Sequence, residues 1–273
     1  MTSEEAIARS LPLDGNGAWI WLGMQCLLDL DSDLADELDP AAVRAARAAA
    51  IAPILDAEPG TIPLGDWLNL AVPGPGVLVL DGVIAVNVRV GDRVAAELVG
   101  AGDLLQPPGG EYDELLSCEL GWRALLPARV ALLNRSFSKR VRFWPGITQA
   151  LLRRAGRRTR NLSVQRAIAA QPRLDVRLAL LLWHFAGRWG KVEPGGIRLS
   201  VPLTHQLLGR LVGAERPSVS HALARLHDAG LVSGQADEWH LHGSLKDQLA
   251  AMIEPDANKV ERLVTAAAAL RGH

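Results

Sequence analysis

The stretch LVGAERPSVSHALARLHDAGLV, residues 211–232, ends one short helical pattern and begins a second one within three residues. The first pattern, THQLLGRLVG, begins at Thr204, a suitable N-cap, and closes at Gly213, which can adopt a positive φ. Gly209 is the small residue that two steeply crossing helices need where their backbones meet. The positions that such a unit must bury are apolar: Leu208, Val212, Ala214, Val219 and Ala222. The spacing therefore predicts a helix-turn-helix.

Pro217 stands in the first turn of the second helix, where a missing backbone N–H costs no intrahelical hydrogen bond. The side chains expected to be exposed from this turn onward, Arg216, Ser218, Ser220, His221 and Arg225, can all donate hydrogen bonds, and none is acidic. On a recognition helix they would meet base edges and phosphates, whereas elsewhere they would form a solvated face. We assign Arg216 and His221 to base or phosphate contact, Ser218 and Ser220 to close approach, and Arg225 to phosphate. The expected DNA-binding residues are Thr204, His205, Arg216, Pro217, Ser218, Ser220, His221 and Arg225.

The segments on either side of the helix pair predict two strands after it and one before it. LVSGQADEWHLH gives two short strands around a turn, which would form the wing of a winged helix, and GIRLSVPL gives a strand that ends at Pro202. We place the winged helix-turn-helix domain at residues 191–243. A helical tail at residues 244–273 begins with a capping box of Ser244 and Asp247, and we expect it to pack on the body of the protein.

The net charge of −1 conceals a strong asymmetry along the chain. Residues 1–135 hold 8 Lys and Arg against 20 Asp and Glu, a net charge of −12. Residues 136–230 hold 17 against 4, a net charge of +13. A basic segment of this size points to a polyanion partner such as double-stranded DNA, although attraction between the two segments would explain the pattern as well.

The N-terminal half predicts a helical segment followed by strands. Residues 1–60 look helical and rich in alanine, with Asp39 and Pro40 at a helix start. From residue 61 to about 134, β-branched runs are divided by turn signals every 8 to 12 residues, which is typical of an antiparallel sandwich or roll. We place this β-roll domain, the expected sensor, at residues 61–144.

Residues 145–190 predict two helices. In the first, a narrow apolar stripe of Ile147, Leu151, Ala155 and Leu162 fits pairing with a second copy of the helix, although a helix that faces the core explains it equally. The second, DVRLALLLWHFAGRWG, is apolar nearly all round and should be buried, with Gly190 at its C-terminal cap. We expect a homodimer.

The composition argues against several classes of protein. No apolar run approaches the roughly 18 residues of a membrane span, so we expect a cytoplasmic protein. Two Cys cannot supply a disulfide framework or a four-Cys metal site, and His240 and His242 lack a third ligand. The sequence contains no nucleophile–base arrangement in a sheet context and no glycine-rich phosphate loop. We therefore expect no enzyme activity, no metal and no cofactor.

With these motifs the chain resembles the CRP/FNR family of bacterial transcription regulators. The resemblance covers roughly residues 61–243 and is strongest in RLALLLWHFAGRWG and in the helix pair. It implies an α+β fold in which an N-terminal β-roll of jelly-roll type, with flanking helices, precedes a long dimerisation helix and a C-terminal winged helix-turn-helix. It also implies a DNA-binding homodimer, with RNA polymerase as a further partner.

This sequence departs from the family at its base-reading and sensor positions. The family's base-reading Glu is replaced by Pro217 and its later Arg by His221, so the usual target sequence is not implied. Gly110 and Glu111 are followed by further carboxylates, which would repel a cyclic phosphate. Haem is disfavoured because all seven His lie at residue 184 or later.

An unidentified small ligand is left as an open possibility. The weak candidates for binding it are Trp67, Tyr112, Trp122 and Arg123, and a packed core explains the tryptophans equally well. We expect a transcription regulator that does not depend on cyclic AMP. The alternatives are a regulator gated by an unknown effector and a winged helix used for protein interaction.

Overall fold

The computed structural model describes residues 19–106 and 118–252. The chain forms two compact units, Met1–Leu162 and Ser163–His273, and the division falls inside one long helix. Tyr112 and the Gly110–Glu111 pair lie outside the described residues, as does the tail beyond residue 252.

The N-terminal unit contains two antiparallel sheets. One has five strands in the order β1-β2-β9-β4-β7, and the other has four in the order β3-β8-β5-β6. The strands are β1 Trp19–Cys26, β2 Ile51–Ala57, β3 Gly60–Thr61, β4 Gly76–Asp81, β5 Val83–Val90, β6 Arg93–Gly100, β7 Leu104–Leu105, β8 Glu119–Ala124 and β9 Ala128–Leu133. Its helices are α1 Leu27–Leu30, α2 Pro40–Ala46, α3 Leu64–Ala71, α4 Arg135–Val141 and the first part of α5, Pro145–Ala169.

The core of the roll lies between these two sheets. Leu55 and Val130 of the larger sheet, Ile84 and Trp122 of the smaller sheet and Trp67 of α3 belong to one buried apolar cluster. Apolar side chains on the facing surfaces of two sheets hold a sandwich or roll together. The α+β architecture with an N-terminal β-roll is confirmed.

The expectation of a helical segment over residues 1–60 is wrong for two stretches. Residues 19–26 form β1, and residues 51–57 form β2, which lies between β1 and β9. Helix α2 starts at the cap that Asp39 provides, but it ends at Ala46. Ile54 and Leu55 are adjacent and both fully buried, because both faces of β2 are covered. A strand covered on both faces lacks the alternating pattern that separates strands from helices in a sequence.

Helix α5 directs most of its apolar stripe into the N-terminal unit. Ile147 and Leu151 are buried in a core cluster with Phe137, and Ala155 packs against that cluster. Of the four stripe residues only Leu162 is exposed. The first three positions therefore face the core, which is the alternative that the sequence left open.

The C-terminal unit consists of helices packed beside a small antiparallel sheet. Its elements after α5 are α6 Leu174–Trp189, β10 Gly190–Glu193, β11 Gly196–Leu199, α7 His205–Val212, α8 Arg216–Asp228, β12 Val232–Gln235, β13 Glu238–His242 and α9 Leu245–Met252. The strand order is β10-β11-β13-β12. Helix α6 is buried along its length, as its composition predicts.

Gly190 is the C-cap residue of α6, as expected, but its backbone conformation is not the usual left-handed one. Its φ is −79°, so it continues into β10 as extended backbone and is not a left-handed cap. A Cβ at this position would lie 2.4 Å from the Ala186 carbonyl oxygen, so glycine is required by close approach. Within residues 19–106 and 118–252, no helix has both the length and the apolar character of a membrane span.

Candidate nucleic-acid interface

The helix pair α7–α8 has the local geometry that the sequence predicts. Thr204 caps α7, its hydroxyl accepting a hydrogen bond from the Leu207 N–H at 3.2 Å. Gly213 ends the helix in the left-handed region with φ 68°. A Cβ on Gly209 would lie 2.5 Å from the Ala214 carbonyl oxygen, so the two backbones approach each other closely there. Pro217 lies in the first turn of α8.

The two helices bury one shared apolar face. Leu208 and Val212 of α7, and Val219 and Ala222 of α8, are fully buried. The opposite side of α8 is polar, so the same helical spacing that forms the core also defines an outer surface. Arg216, Pro217, Ser218, His221 and Arg225 are exposed on that surface, and Thr204 is exposed before α7.

His205 and Ser220 are half-buried and contact each other. The Nδ1 atom of His205 lies 2.8 Å from the Oγ atom of Ser220, and that hydroxyl lies 3.1 Å from the Arg216 carbonyl oxygen. Ser220 was expected to allow close approach to DNA, but its hydroxyl is engaged within the helix pair. The sequence contains no local signal for the His205–Ser220 contact, because the two residues lie on different helices.

Arg225 is held beside a buried carboxylate. Its Nε lies 3.9 Å from Oδ2 of Asp175 at the start of α6, and Arg173 donates to the same oxygen at 2.7 Å. Burial alone would raise the pKa of Asp175, but hydrogen bonds from Arg173 and the Val176 N–H outweigh burial and hold it below the usual range. The carboxylate is therefore ionised and orients two exposed cations on one side of the unit. Sequence analysis did not identify Arg173 and Asp175.

The wing hairpin is present, and its turn consists of two residues between β12 and β13. The backbone N–H of Leu203 donates to the Ala236 carbonyl oxygen at 2.6 Å, so this turn lies beside the start of α7. Arg198 of β11 binds Glu193 and Glu238 at 2.6 and 3.2 Å. Its hydrogen bond to Glu238 holds the pKa of that carboxyl below its usual range. The wing thus presents a carboxylate, and the cation paired with it comes from the neighbouring strand β11.

Several arginines of α5 are paired with carboxylates of the N-terminal unit. The pairs are Arg153–Glu37, Arg154–Asp31 and Arg158–Glu97, with N–O distances of 2.8, 2.6 and 2.5 Å. Attraction between the acidic and basic segments therefore accounts for part of the charge asymmetry. The surface of α8, in contrast, carries arginines at both ends and no carboxylate before Asp228.

Of the three candidate effector residues that the structure describes, two lie in the apolar core of the roll and one lies on its surface. Trp67 is fully buried and Trp122 nearly so, both in the apolar core, whereas Arg123 is exposed on β8. Tyr112 lies outside the described residues. Among the described residues, no group of three or more His, Cys, Asp or Glu could hold a metal ion.

Comparison with known proteins matches the C-terminal unit to a family of DNA-binding domains. Residues 176–242 match the model of the Crp-like helix-turn-helix domain. The CRP-like cAMP-activated global transcriptional regulator of Mycobacterium tuberculosis is 34% identical over 88 residues, which are 32% of this chain and 39% of that protein. The chain thus matches about two fifths of the length of this curated relative.

Solved structures extend the likeness to the whole fold. A cyclic nucleotide-binding domain containing protein from Listeria monocytogenes aligns with a TM-score of 0.59 and 12% identity, covering 78% of this chain and 97% of that one. A CooA mutant from Carboxydothermus hydrogenoformans aligns with a TM-score of 0.52 and 18% identity, covering 71% and 85%. The chain thus carries a Crp-like helix-turn-helix domain at residues 176–242, and its fold is similar to that of these two structures.

Proposed function

We propose that this protein is a DNA-binding transcription regulator that works as a homodimer on a two-fold operator and does not require cyclic AMP. The observation that carries the proposal is the α8 surface, on which Arg216, Ser218, His221 and Arg225 are exposed above a fully buried apolar face. Side chains of these types donate to base edges and phosphates in the major groove. The match of residues 176–242 to the Crp-like helix-turn-helix domain, and the likeness to a curated transcriptional regulator, support this proposal.

The dimer is supported by the outer face of α5. Leu152 is 65% exposed, and Gly156 and Thr159 follow it on the same face at spacings of four and three residues. A Cβ on Gly156 would meet nothing within 4 Å, so a second helix could approach closely at that point. A two-fold operator presents its half-sites about 34 Å apart, one for the α8 helix of each copy in such a dimer.

Independence from cyclic AMP is supported by the interior of the roll. Trp67 and Trp122 occupy that interior as part of the apolar core, and Arg123 is exposed on the strand surface. A cyclic phosphate needs a fixed cation and backbone N–H groups directed at it. This regulator would act on chromosomal DNA in the cytoplasm, with RNA polymerase as a partner at the promoters it controls.

The test is a selection of genomic DNA fragments bound by the full-length protein at about physiological salt. We expect one shared inverted repeat, recovered equally with and without added cyclic AMP. Binding to the repeat should weaken steeply as salt rises, because each neutralised phosphate adds about 0.9 to the slope of log K against log salt. Recovery only with cyclic AMP would contradict ligand independence. If no DNA fragment is recovered under either condition, and the protein instead captures a protein partner in a way that does not depend on salt, the result would favour a winged helix used for protein interaction.

A further inference from the structure

A chain of two hydrogen bonds joins the first residue of α7 to the first residue of α8. His205 Nδ1 lies 2.8 Å from Ser220 Oγ, which lies 3.1 Å from the Arg216 carbonyl oxygen. The second link is a serine side chain bonded to the carbonyl four residues earlier. His205 is thereby connected to the backbone of Arg216, whose side chain is the proposed base contact.

The number of available hydrogens fixes the direction of both bonds. A serine hydroxyl has one hydrogen, and the Arg216 carbonyl oxygen can only accept. Both contacts are satisfied when the hydroxyl donates to that carbonyl and accepts from His205 Nδ1–H. The neutral imidazole then carries its hydrogen on Nδ1 and a lone pair on Nε2. Within the described part of the chain, Nε2 makes no hydrogen bond.

We propose that His205 is a positioning residue of the DNA-binding surface, which acts through Ser220 on the first turn of α8 and so determines the base preference. The inference rests on the proposed function. It reassigns His205 and Ser220, which sequence analysis placed among the DNA contacts, to the orientation of Arg216.

Two kinds of contact fix α7 and α8 against each other, and they differ in how well they orient the first turn of α8. The buried apolar face holds α7 and α8 together, and the Gly209–Ala214 approach fixes the turn between them. The hydrophobic contribution of this face is not directional and does not by itself align the polar groups of α8. The bond from His205 is directional and meets α8 one turn after its start. A base contact depends on such pre-orientation, since a bidentate pair needs both donors in place.

Direct contact with DNA is the competing role for His205. In that role the outward Nε2 would approach a phosphate at the start of α7, and the Nδ1–Ser220 bond would matter little. The two roles use different ring atoms, and two amide side chains separate them. The amide nitrogen of Asn can replace Nδ1, which is closer to the backbone, whereas the amide nitrogen of Gln reaches the position of Nε2.

The experiment measures discrimination, the ratio of affinities for the selected inverted repeat and for random DNA, in full-length variants. Removal of this half-buried hydrogen bond should reduce discrimination about fivefold to tenfold in H205A and in S220A. The double variant should lose no more than either single variant, because both act on the same bond. H205N should recover discrimination and H205Q should not. Affinity for random DNA and its salt slope should stay within about twofold of the wild type.

The matched control is Ser218, an exposed serine on the same turn that is outside the chain of bonds. In the double variant of S218A and H205A, the fold reduction in discrimination should equal the product of the two single reductions, as expected for independent sites. Recovery by H205Q rather than H205N, or equal losses on selected and random DNA, would overturn the positioning role and indicate phosphate contact. Multiplied losses in the double variant of His205 and Ser220 would also overturn it.

A measurement without DNA tests the same chain of bonds independently. Nitrogen-15 NMR of the imidazole rings in the full-length protein, with H205N to assign the signal, should show His205 as the Nδ1–H tautomer. In S220A the signal should shift towards the Nε2–H form. An Nε2–H ring in the wild-type protein overturns the inference whatever the protein binds. If wild-type protein shows the Nδ1–H tautomer but binds no DNA, the bond stands, but the proposed function and the positioning role both fail.

Discussion

The Nε1–H of Trp183 on α6 donates to Oε1 of Gln248 on α9 at 2.8 Å, and this bond ties the helix after the wing to the centre of the C-terminal unit. The amide nitrogen of Gln248 also donates to the Leu231 and His242 carbonyl oxygens at 2.6 and 2.8 Å. One buried side chain thus satisfies groups at the start of β12, the end of β13 and the middle of α6. Helix α9 lies beyond the residues that match the family domain, yet it is built into the same unit.

Gln248→Leu should destabilise the C-terminal unit by about 2–4 kcal/mol, because it removes the acceptor of the buried Trp183 N–H and the amide donor that Gln248 gives to two backbone carbonyls. The Leu231 carbonyl still accepts from the His242 N–H at 3.0 Å. Chemical denaturation of the full-length protein, followed by tryptophan fluorescence, measures this loss. Gln149→Leu is the matched control, because Gln149 is exposed on α5. A change below about 0.5 kcal/mol for Gln248→Leu would show that water satisfies those groups.

Arg216→Ala and Arg225→Ala should affect DNA binding differently. Arg216 lies in the first turn of the recognition helix, so its loss should weaken binding to the selected repeat by about 1–3 kcal/mol and relax base choice. Arg225 lies further along α8, oriented beside Asp175, and its loss should weaken all sequences alike. Equilibrium binding to selected and random DNA distinguishes the two. Equal losses on both DNAs for both variants would contradict this division.

Leu152→Glu should convert the protein to a monomer, because it places a charge on the exposed face of α5 where the two copies are proposed to meet. Sedimentation velocity at micromolar concentration measures the change, and affinity for the two-fold repeat should fall at least tenfold. Val192→Glu is the control, because Val192 is an apolar residue that is 79% exposed on β10 and belongs to the other compact unit. A monomeric wild type, or a dimer that persists in Leu152→Glu, would place the interface elsewhere.

Arg154→Met should destabilise the N-terminal unit by about 2–4 kcal/mol at neutral pH, because it leaves the carboxylate of Asp31 without its bidentate partner. Burial raises the pKa of Asp31 even though Arg154 lowers it. Without the arginine this pKa should rise further, so the carboxyl accepts a proton more readily. The loss should therefore shrink as the pH falls towards 4. Arg160→Met, at an exposed position on the same helix, is the control in these unfolding measurements.

His184 should make stability fall on the acid side of neutrality. Its Nε2 is buried without a hydrogen-bond partner among the described residues, and burial, with Arg188 nearby, lowers its pKa from 6.5 to about 4. The unfolded chain therefore binds this proton first, so the free energy of unfolding decreases as pH falls from about 6.5 to about 4. The full loss is about 3 kcal/mol at 1.36 kcal/mol per pKa unit.

The pH dependence is measured by denaturant unfolding between pH 7 and pH 4 in buffers of constant ionic strength. His184→Leu should flatten the profile over this range, because it removes the group that takes up the proton on unfolding. His227→Leu, the same exchange at an exposed histidine of α8, should leave the slope unchanged. An unchanged slope in His184→Leu would assign the proton uptake to other groups.

The helix-turn-helix could be predicted from the sequence because each of its signals is local. Thr204 caps the next turn, Gly213 supplies a left-handed φ and Pro217 fits a first turn, and each depends only on residues a few positions away. The exposed and buried sides of α8 follow from a period of 3.6 residues in the same way. Arg216, Ser218, His221 and Arg225 are exposed, as their positions in the sequence indicate, and their contact with DNA stays a prediction.

Contacts between residues far apart in the chain could not be predicted from local patterns and are visible only in the folded protein. Strand β2 is buried on both faces and so has the continuous apolar texture of a helix, and Arg154 finds Asp31 across 123 positions of the chain. The links from His205 to Ser220 and from Trp183 to Gln248 span 15 and 65 positions. The local geometry of the helix pair α7–α8 follows from the amino-acid sequence alone, because backbone preferences act over one or two turns. Tertiary packing determines which polar side chains are engaged in internal hydrogen bonds, because a hydrogen bond between distant residues exists only once the chain has folded.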